Sequence, residues 1–114
     1  MRAEFEIYRK DITVKTRLGE QKFKLLPLSG KYYKKIMSVL KKFPQDENAS
    51  NVDIMEALDE DTIGSLHKLC FETLKYSENV KDPKDLEKLD LYVSQNLFQI
   101  FPGVIEVNMV APEE

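Results

Sequence analysis

Asp11-Ile12-Thr13-Val14-Lys15-Thr16-Arg17-Leu18-Gly19-Glu20-Gln21-Lys22-Phe23-Lys24-Leu25-Leu26-Pro27-Leu28-Ser29 is the stretch on which the fold reading turns. Up to Leu18 it alternates: Ile12, Val14, Thr16 and Leu18 fall on one side, Lys15 and Arg17 on the other. Beyond Glu20 it alternates again, with Phe23 and Leu25 opposite Lys22 and Lys24. Period-two alternation is the mark of a half-buried strand. Gly19-Glu20 lies between the two runs, and a Gly-X link is a type II′ hairpin signal because glycine tolerates positive φ. A β-hairpin follows, with one buried and one lysine-lined face. Pro27, which has no N–H to donate, ends the second strand. Upstream, Glu4-Phe5-Glu6-Ile7-Tyr8 also alternates and offers a third strand.

Downstream the period lengthens to that of a helix. Ser29 can cap a helix running to about Phe43. Its apolar stripe is Tyr32, Ile36, Val39, Leu40 and Phe43, flanked by Tyr33 and Met37. Lys31, Lys34, Lys35, Lys41 and Lys42 fall on the opposite side at 100° per residue. A polar loop, 44–50, precedes a short helix capped by Ser50 or Asn51 and marked by Val52, Met55 and Leu58. A third helix spans about Glu60 to Ser77. Ile63, Leu66, Cys70, Thr73 and Leu74 form its stripe, and Asp59, Glu60 and Asp61 suit its positive end. A fourth begins near Asp85 or Leu86 and is expected to end or kink near Phe101, because Pro102 follows. Its stripe is Leu86, Leu89, Val93, Leu97 and Ile100. Gly103 to Val107 adds a helical turn or a short strand.

The expected fold is therefore α+β. An N-terminal antiparallel β-hairpin or three-stranded meander (1–28) leads into three to four helices packed as a small bundle (29–108), with a tail at 109–114. The 114 residues suit one such domain. No apolar run approaches the roughly 18 residues of a membrane span and no charged-then-apolar leader opens the sequence, so a soluble intracellular domain with no membrane role is expected.

Residue chemistry excludes more than it assigns. One cysteine rules out an internal disulfide framework and any multi-cysteine metal site. His67 lies one turn before Cys70, but Cys70 sits in an apolar stripe, where a thiol stays protonated. The four glycines are scattered, so no phosphate-cradling loop is present. No catalytic set, cofactor or metal is expected.

Charge is divided along the chain. Residues 9–42 carry eleven Lys or Arg against two acids, and residues 43–114 five Lys against sixteen acids, giving +9 and −11. With −1 from residues 1–8 the net is −3. Such a bipolar domain favours contacts between copies, so a homo-oligomer is expected. The lysines of the first helix and hairpin also offer a basic face to nucleic acid, although a lysine row is more often solvated.

Leu91 and Phe98 are seven apart and lie opposite the main stripe of the fourth helix, with Phe101 between the two faces. A helix apolar on two sides is either central to its own bundle or bears a partner-binding face.

Three stretches give the chain a likeness. They are the hairpin passage Arg17–Ser29, the run Leu66 to Ser77, and Tyr92 to Asn108 with its aromatic–valine–x–x–asparagine pattern. In this order of parts the chain resembles the tail assembly chaperones of tailed bacteriophages and prophages. It departs from them after Tyr76-Ser77, where some relatives have a proline and here Glu78-Asn79 intervene. The resemblance implies a non-enzymatic protein of the host cytoplasm, absent from the mature virion. Its implied partners are the long helical tape-measure protein and the tail-tube protein. The acidic end Ala111-Pro112-Glu113-Glu114 is compatible with a frameshift junction, as in many such genes. Leu91, Phe98 and Phe101 would form the binding strip, by the periodicity argument alone. The alternative is a small nucleic-acid-binding or regulatory module using Lys31, Lys34, Lys35, Lys41 and Lys42.

Overall fold

In a computed structural model, which describes residues 7–43, 48, 50–80 and 85–108, a two-stranded antiparallel hairpin precedes a set of helices. Strand β1 is Lys10–Thr16 and β2 is Gly19–Leu25, in the register Ile12 opposite Phe23 and Val14 opposite Gln21. A 3₁₀ turn, Gly30–Tyr32, leads into α1, Tyr33–Lys42. Then follow α2 (Asn51–Ala57), α3 (Glu60–Lys75), α4 (Leu86–Gln95) and α5 (Leu97–Asn108).

The hairpin faces follow the alternation. Val14, Phe23 and Leu25 are buried and Lys15, Lys22 and Lys24 exposed. Two expectations need correction. The reversal falls at Arg17-Leu18, since Thr16 pairs with Gly19. Gly19, at φ +125°, supplies the positive dihedral immediately after the turn rather than within it. Leu18 is left fully exposed at the tip, outside the buried face assigned to it. Among the described residues the sheet has two strands, the hairpin of the two expected forms. Ile7 and Tyr8 are exposed and outside any strand, while 4–6 lie outside the described residues.

A lone two-stranded ribbon leaves both edges open to unwanted pairing. Here amide side chains occupy them. The Lys15 N–H donates to Gln99 Oε1 (2.9 Å), and Gln99 Nε2 donates to the Lys15 carbonyl (2.9 Å). On the other edge the Lys24 N–H donates to Asn79 Oδ1 (2.9 Å), and Asn79 Nδ2 donates to the Lys22 carbonyl (2.7 Å). Each side chain imitates one residue of a neighbouring strand and ties the hairpin to the helical half. Below the ribbon, Tyr8 and Lys10 both hydrogen-bond the Glu106 carboxylate, at 3.0 and 3.1 Å. The Lys10 bond, then that from Tyr8, holds Glu106 below the usual carboxylate range. This contact is therefore present above that range and lost as pH falls through the lowered value.

Helix starts follow the capping residues. Ser50 and Asp53 form a reciprocal capping box on α2. The Asp59 carboxylate accepts from the Thr62 N–H (2.7 Å) to open α3, and Asp85 accepts from Lys88 (3.0 Å) to open α4. The single fourth helix expected from the sequence is two helices. Asn96 ends α4, its N–H bonding the Tyr92 and Val93 carbonyls and its side-chain amide bonding Tyr92 O at 2.9 Å. Its own carbonyl then accepts from Gln99 and Ile100 to begin α5. Pro102 does not end the helix but stands inside α5. The proline removes one helical N–H, yet Gly103, Val104 and Val107 beyond it are buried, and that packing keeps the segment helical. Gly103 to Val107 is thus helix rather than strand.

The core lies between the inner face of the hairpin and α3, with α1, α4 and α5 around them. It comprises Val14, Phe23 and Leu25, then Ile36 and Val39 of α1, and Leu66, Leu69, Cys70 and Leu74 of α3. Val93 of α4 and Leu97, Ile100, Val104 and Val107 of α5 complete it. Helix α5 packs along β1, and α3 touches α1, α4 and α5. No helix of the described residues is long and apolar enough to cross a membrane.

Thr73 is fully buried, and its hydroxyl has no hydrogen-bond partner among the described residues. An unsatisfied buried hydroxyl costs about 1–3 kcal/mol, and valine has the same shape. Thr73→Val should therefore raise stability by about 1 kcal/mol in urea unfolding. A loss of that size would mean that the hydroxyl is satisfied in solution.

Candidate partner-binding surface

Cys70 and His67 do not meet as a nucleophile and its base. Cys70 points into the core with no exposed surface, and burial pushes its thiol up to about 12. In the folded protein it should resist a thiol reagent such as DTNB at pH 8 and react in one step on denaturation. Rapid labelling of the native protein would contradict its burial.

His67 turns instead toward α4. Its Nε2 lies 3.1 Å from Ser94 Oγ, 3.3 Å from the Asp90 carbonyl and 3.3 Å from Asp90 Oδ1. Serine, histidine and aspartate thus gather where periodicity gave no hint of it. They do so because 90 and 94 share one face of α4, one turn apart. A relay needs the carboxylate on one ring nitrogen and the hydroxyl on the other. Here both lie on Nε2, and Ser94 Oγ also donates to the Asp90 carbonyl (3.1 Å). The arrangement fastens α3 to α4. No cluster of three or more metal-ligating side chains occurs among the described residues.

The lysines expected on one face lie on α1 and, for Lys31, on the 3₁₀ turn before it. Lys31, Lys34, Lys41 and Lys42 are exposed and Lys35 is half-buried. Among the described residues none of the five forms an ion pair with a carboxylate. Lys31 instead lies over the Tyr32 ring, 5.2 Å from its centre. Tyr32 packs against the core and is no free stacking platform, whereas Tyr33 is exposed beside the lysines.

Leu91, Phe98 and Phe101 are divided by the break at Asn96. Leu91 stands on α4 and is 62% exposed. Phe98 and Phe101, on α5, are half-buried in an aromatic row. Phe101 stacks on Phe43 (ring centres 5.1 Å apart) and meets Phe98 edge-on (5.8 Å). Phe101 is thus largely occupied within the domain, and Phe98 is occupied on one edge.

More apolar surface lies where the sequence showed only a short helix. Val52 and Met55 of α2 are 65% and 40% exposed. Met55 borders three adjoining clefts. The largest, about 440 Å³, runs between α2, α3 and α4 and is lined by Ile63, Gly64, His67 and Leu97, with Glu60 at its side. A second, of about 350 Å³, lies between Val52, Glu56 and Phe98, and a third, about 280 Å³, follows the α4–α5 joint. Among the described side chains of α2 none is fully buried, Ile54 is half-buried, and Leu58 just beyond the helix is its buried anchor. The exposure of Val52 and Met55 was not legible in their spacing, since a buried and an unpartnered amphipathic helix share one pattern.

Compared with protein families, with curated proteins and with solved structures, the chain matches none.

Proposed function

We propose that this protein is a non-enzymatic tail assembly chaperone of a phage or prophage. It would bind the helical tape-measure protein in the host cytoplasm and keep it soluble until the tail tube forms around it. One observation carries the reading. Val52 and Met55 of α2 are exposed around clefts that also reach a half-buried Phe98, and Leu91 of α4 is exposed as well. An unpartnered apolar surface of this kind marks a site of association, and helix-in-groove docking uses such surfaces. The likeness of Arg17–Ser29, Leu66 to Ser77 and Tyr92 to Asn108 to the tail assembly chaperones names the client. Acidic and basic halves would let several copies line one long client.

The test is co-expression with the tape-measure protein of the same genome. The tape-measure protein should be soluble with the chain and insoluble without it, and the two should copurify. A tape-measure protein equally soluble alone, with no copurification, would refute the proposal.

The exposed lysines of α1, none of which forms an ion pair among the described residues, favour a second reading, a nucleic-acid-binding module. It requires that short duplexes be retarded at low salt and released by Lys34→Glu with Lys41→Glu. Unchanged duplex mobility at low salt dismisses it.

A further inference from the structure

The clefts around Met55 have a charge character as well as an apolar one. Among the described residues the charged side chains lining them are Glu56 and Glu60, with His67 the one titratable base, and no lysine or arginine takes part. Asp90, in contact with His67, adds a third carboxylate beside the largest cleft. The floor is unusual too. Gly64 lies in the interior of α3, where glycine costs about 1 kcal/mol against alanine. Yet a Cβ built on it would meet nothing within 4 Å, so no packing inside the domain requires glycine there. The missing side chain leaves room for a close approach from outside.

From this juxtaposition we infer that the groove between α2, α3 and the α4–α5 joint binds an amphipathic helix whose apolar stripe is flanked by lysine or arginine. The stripe lies over Met55, Ile63 and Leu97, and the basic flanks face Glu56, Glu60 and Asp90. Complementary charge sets orientation and partner choice, while the apolar contact supplies most of the affinity. The inference rests on the reading of the protein as a helix-binding chaperone, and it specifies which surface binds and what charge the client carries. The chain's own basic helix cannot be the occupant, because Ile36 and Val39 of α1 are buried in its own core.

The chain has no tryptophan, so a peptide carrying one is observed without interference. The probes are two 18-residue helices with leucines at i, i+3, i+4 and i+7 and one tryptophan, differing in having lysine or glutamate elsewhere. The lysine peptide should bind with a blue shift of tryptophan emission, at least tenfold more tightly than the glutamate peptide. Glu60→Lys should weaken it tenfold or more. Glu78→Lys, the same charge change beyond the far end of α3, should weaken it less than threefold. Gly64→Leu should raise the melting temperature yet abolish binding, which separates a filled groove from an unfolded domain.

Equal binding of the two peptides, or equal effects of the two charge reversals, would overturn the inference. So would retained binding in Gly64→Leu, or a concentration-dependent dimer that Met55→Lys dissolves, since a second copy would then fill the groove. Failure of these peptides with retained tape-measure capture refutes the groove and leaves the chaperone reading standing. Peptide binding without tape-measure capture does the reverse.

Discussion

Gly103→Ala should destabilise the domain by about 1–3 kcal/mol, although alanine is the better helix former by about 1 kcal/mol. A Cβ at position 103 would stand 2.5 Å from Ile12 Cγ2 and 3.2 Å from Leu25 Cδ1. Ile12 is β-branched, so its Cγ2 cannot move without rotating χ1 away from its preferred well. Strand β1 is held opposite β2 through the Ile12–Phe23 pair, so the strand cannot simply slide. Helix α5 must therefore lift from the hairpin, loosening Ile100, Val104 and Val107, all of which are buried. At about 4 °C per kcal/mol for a domain of this size, the melting temperature should fall by about 4–12 °C. Gly103→Leu should prevent folding altogether. A double-mutant cycle identifies the cause: Gly103→Ala with Ile12→Ala should cost less than the sum of the single changes. Strict additivity, or a stabilised Gly103→Ala, would contradict the close approach of α5 to the hairpin.

The second large effect is on association rather than stability. Leu91→Lys with Phe98→Lys should abolish copurification with a tape-measure protein and leave a folded domain. Leu91 is well exposed, so its replacement costs the fold almost nothing. Phe98 loses its edge contact with Phe101, worth about 0.5–1.5 kcal/mol, a smaller loss than that expected at Gly103. Circular dichroism should show unchanged helix content. Leu91→Lys alone keeps the experiment informative, since it touches no buried contact. If the single change leaves capture intact and the double change unfolds the chain, the apolar surface at α4 and α5 serves the domain's own core.

The parts of the fold legible in the sequence are those fixed by local chemistry. The alternation around Val14 and Phe23 placed the hairpin face, and Ser50 and Asp59 placed two helix starts. Ser29 instead caps the 3₁₀ turn Gly30–Tyr32, and α1 itself begins at Tyr33 with no side-chain cap. The turn was displaced by two residues. A positive-φ glycine serves equally well within a turn or just after it, and only the pairing of Thr16 with Gly19 decides. The division of α4 from α5 was hidden because Leu89, Val93, Leu97 and Ile100 keep helical spacing across Asn96. The break is made by hydrogen bonds of one asparagine, which periodicity does not register. Pro102 misled in the opposite direction, since burial of Val104 and Val107 outweighs one lost helical bond. For the candidate surface, the sequence marked Leu91 and the lysines of α1. The opening beside Met55 and Gly64 depends on how α2 rests against α3, which no spacing rule contains.

Hydroxyl-radical footprinting of the chain, free and bound to a tape-measure fragment, tests the central claim most directly. Met55, Leu91 and Phe98 should lose reactivity in the complex, while Tyr33 on α1 and Tyr76 beyond α3, exposed at 55% and 58%, should react as before. Unchanged reactivity at Met55, Leu91 and Phe98, or protection confined to Tyr33 beside the lysine face, would contradict it.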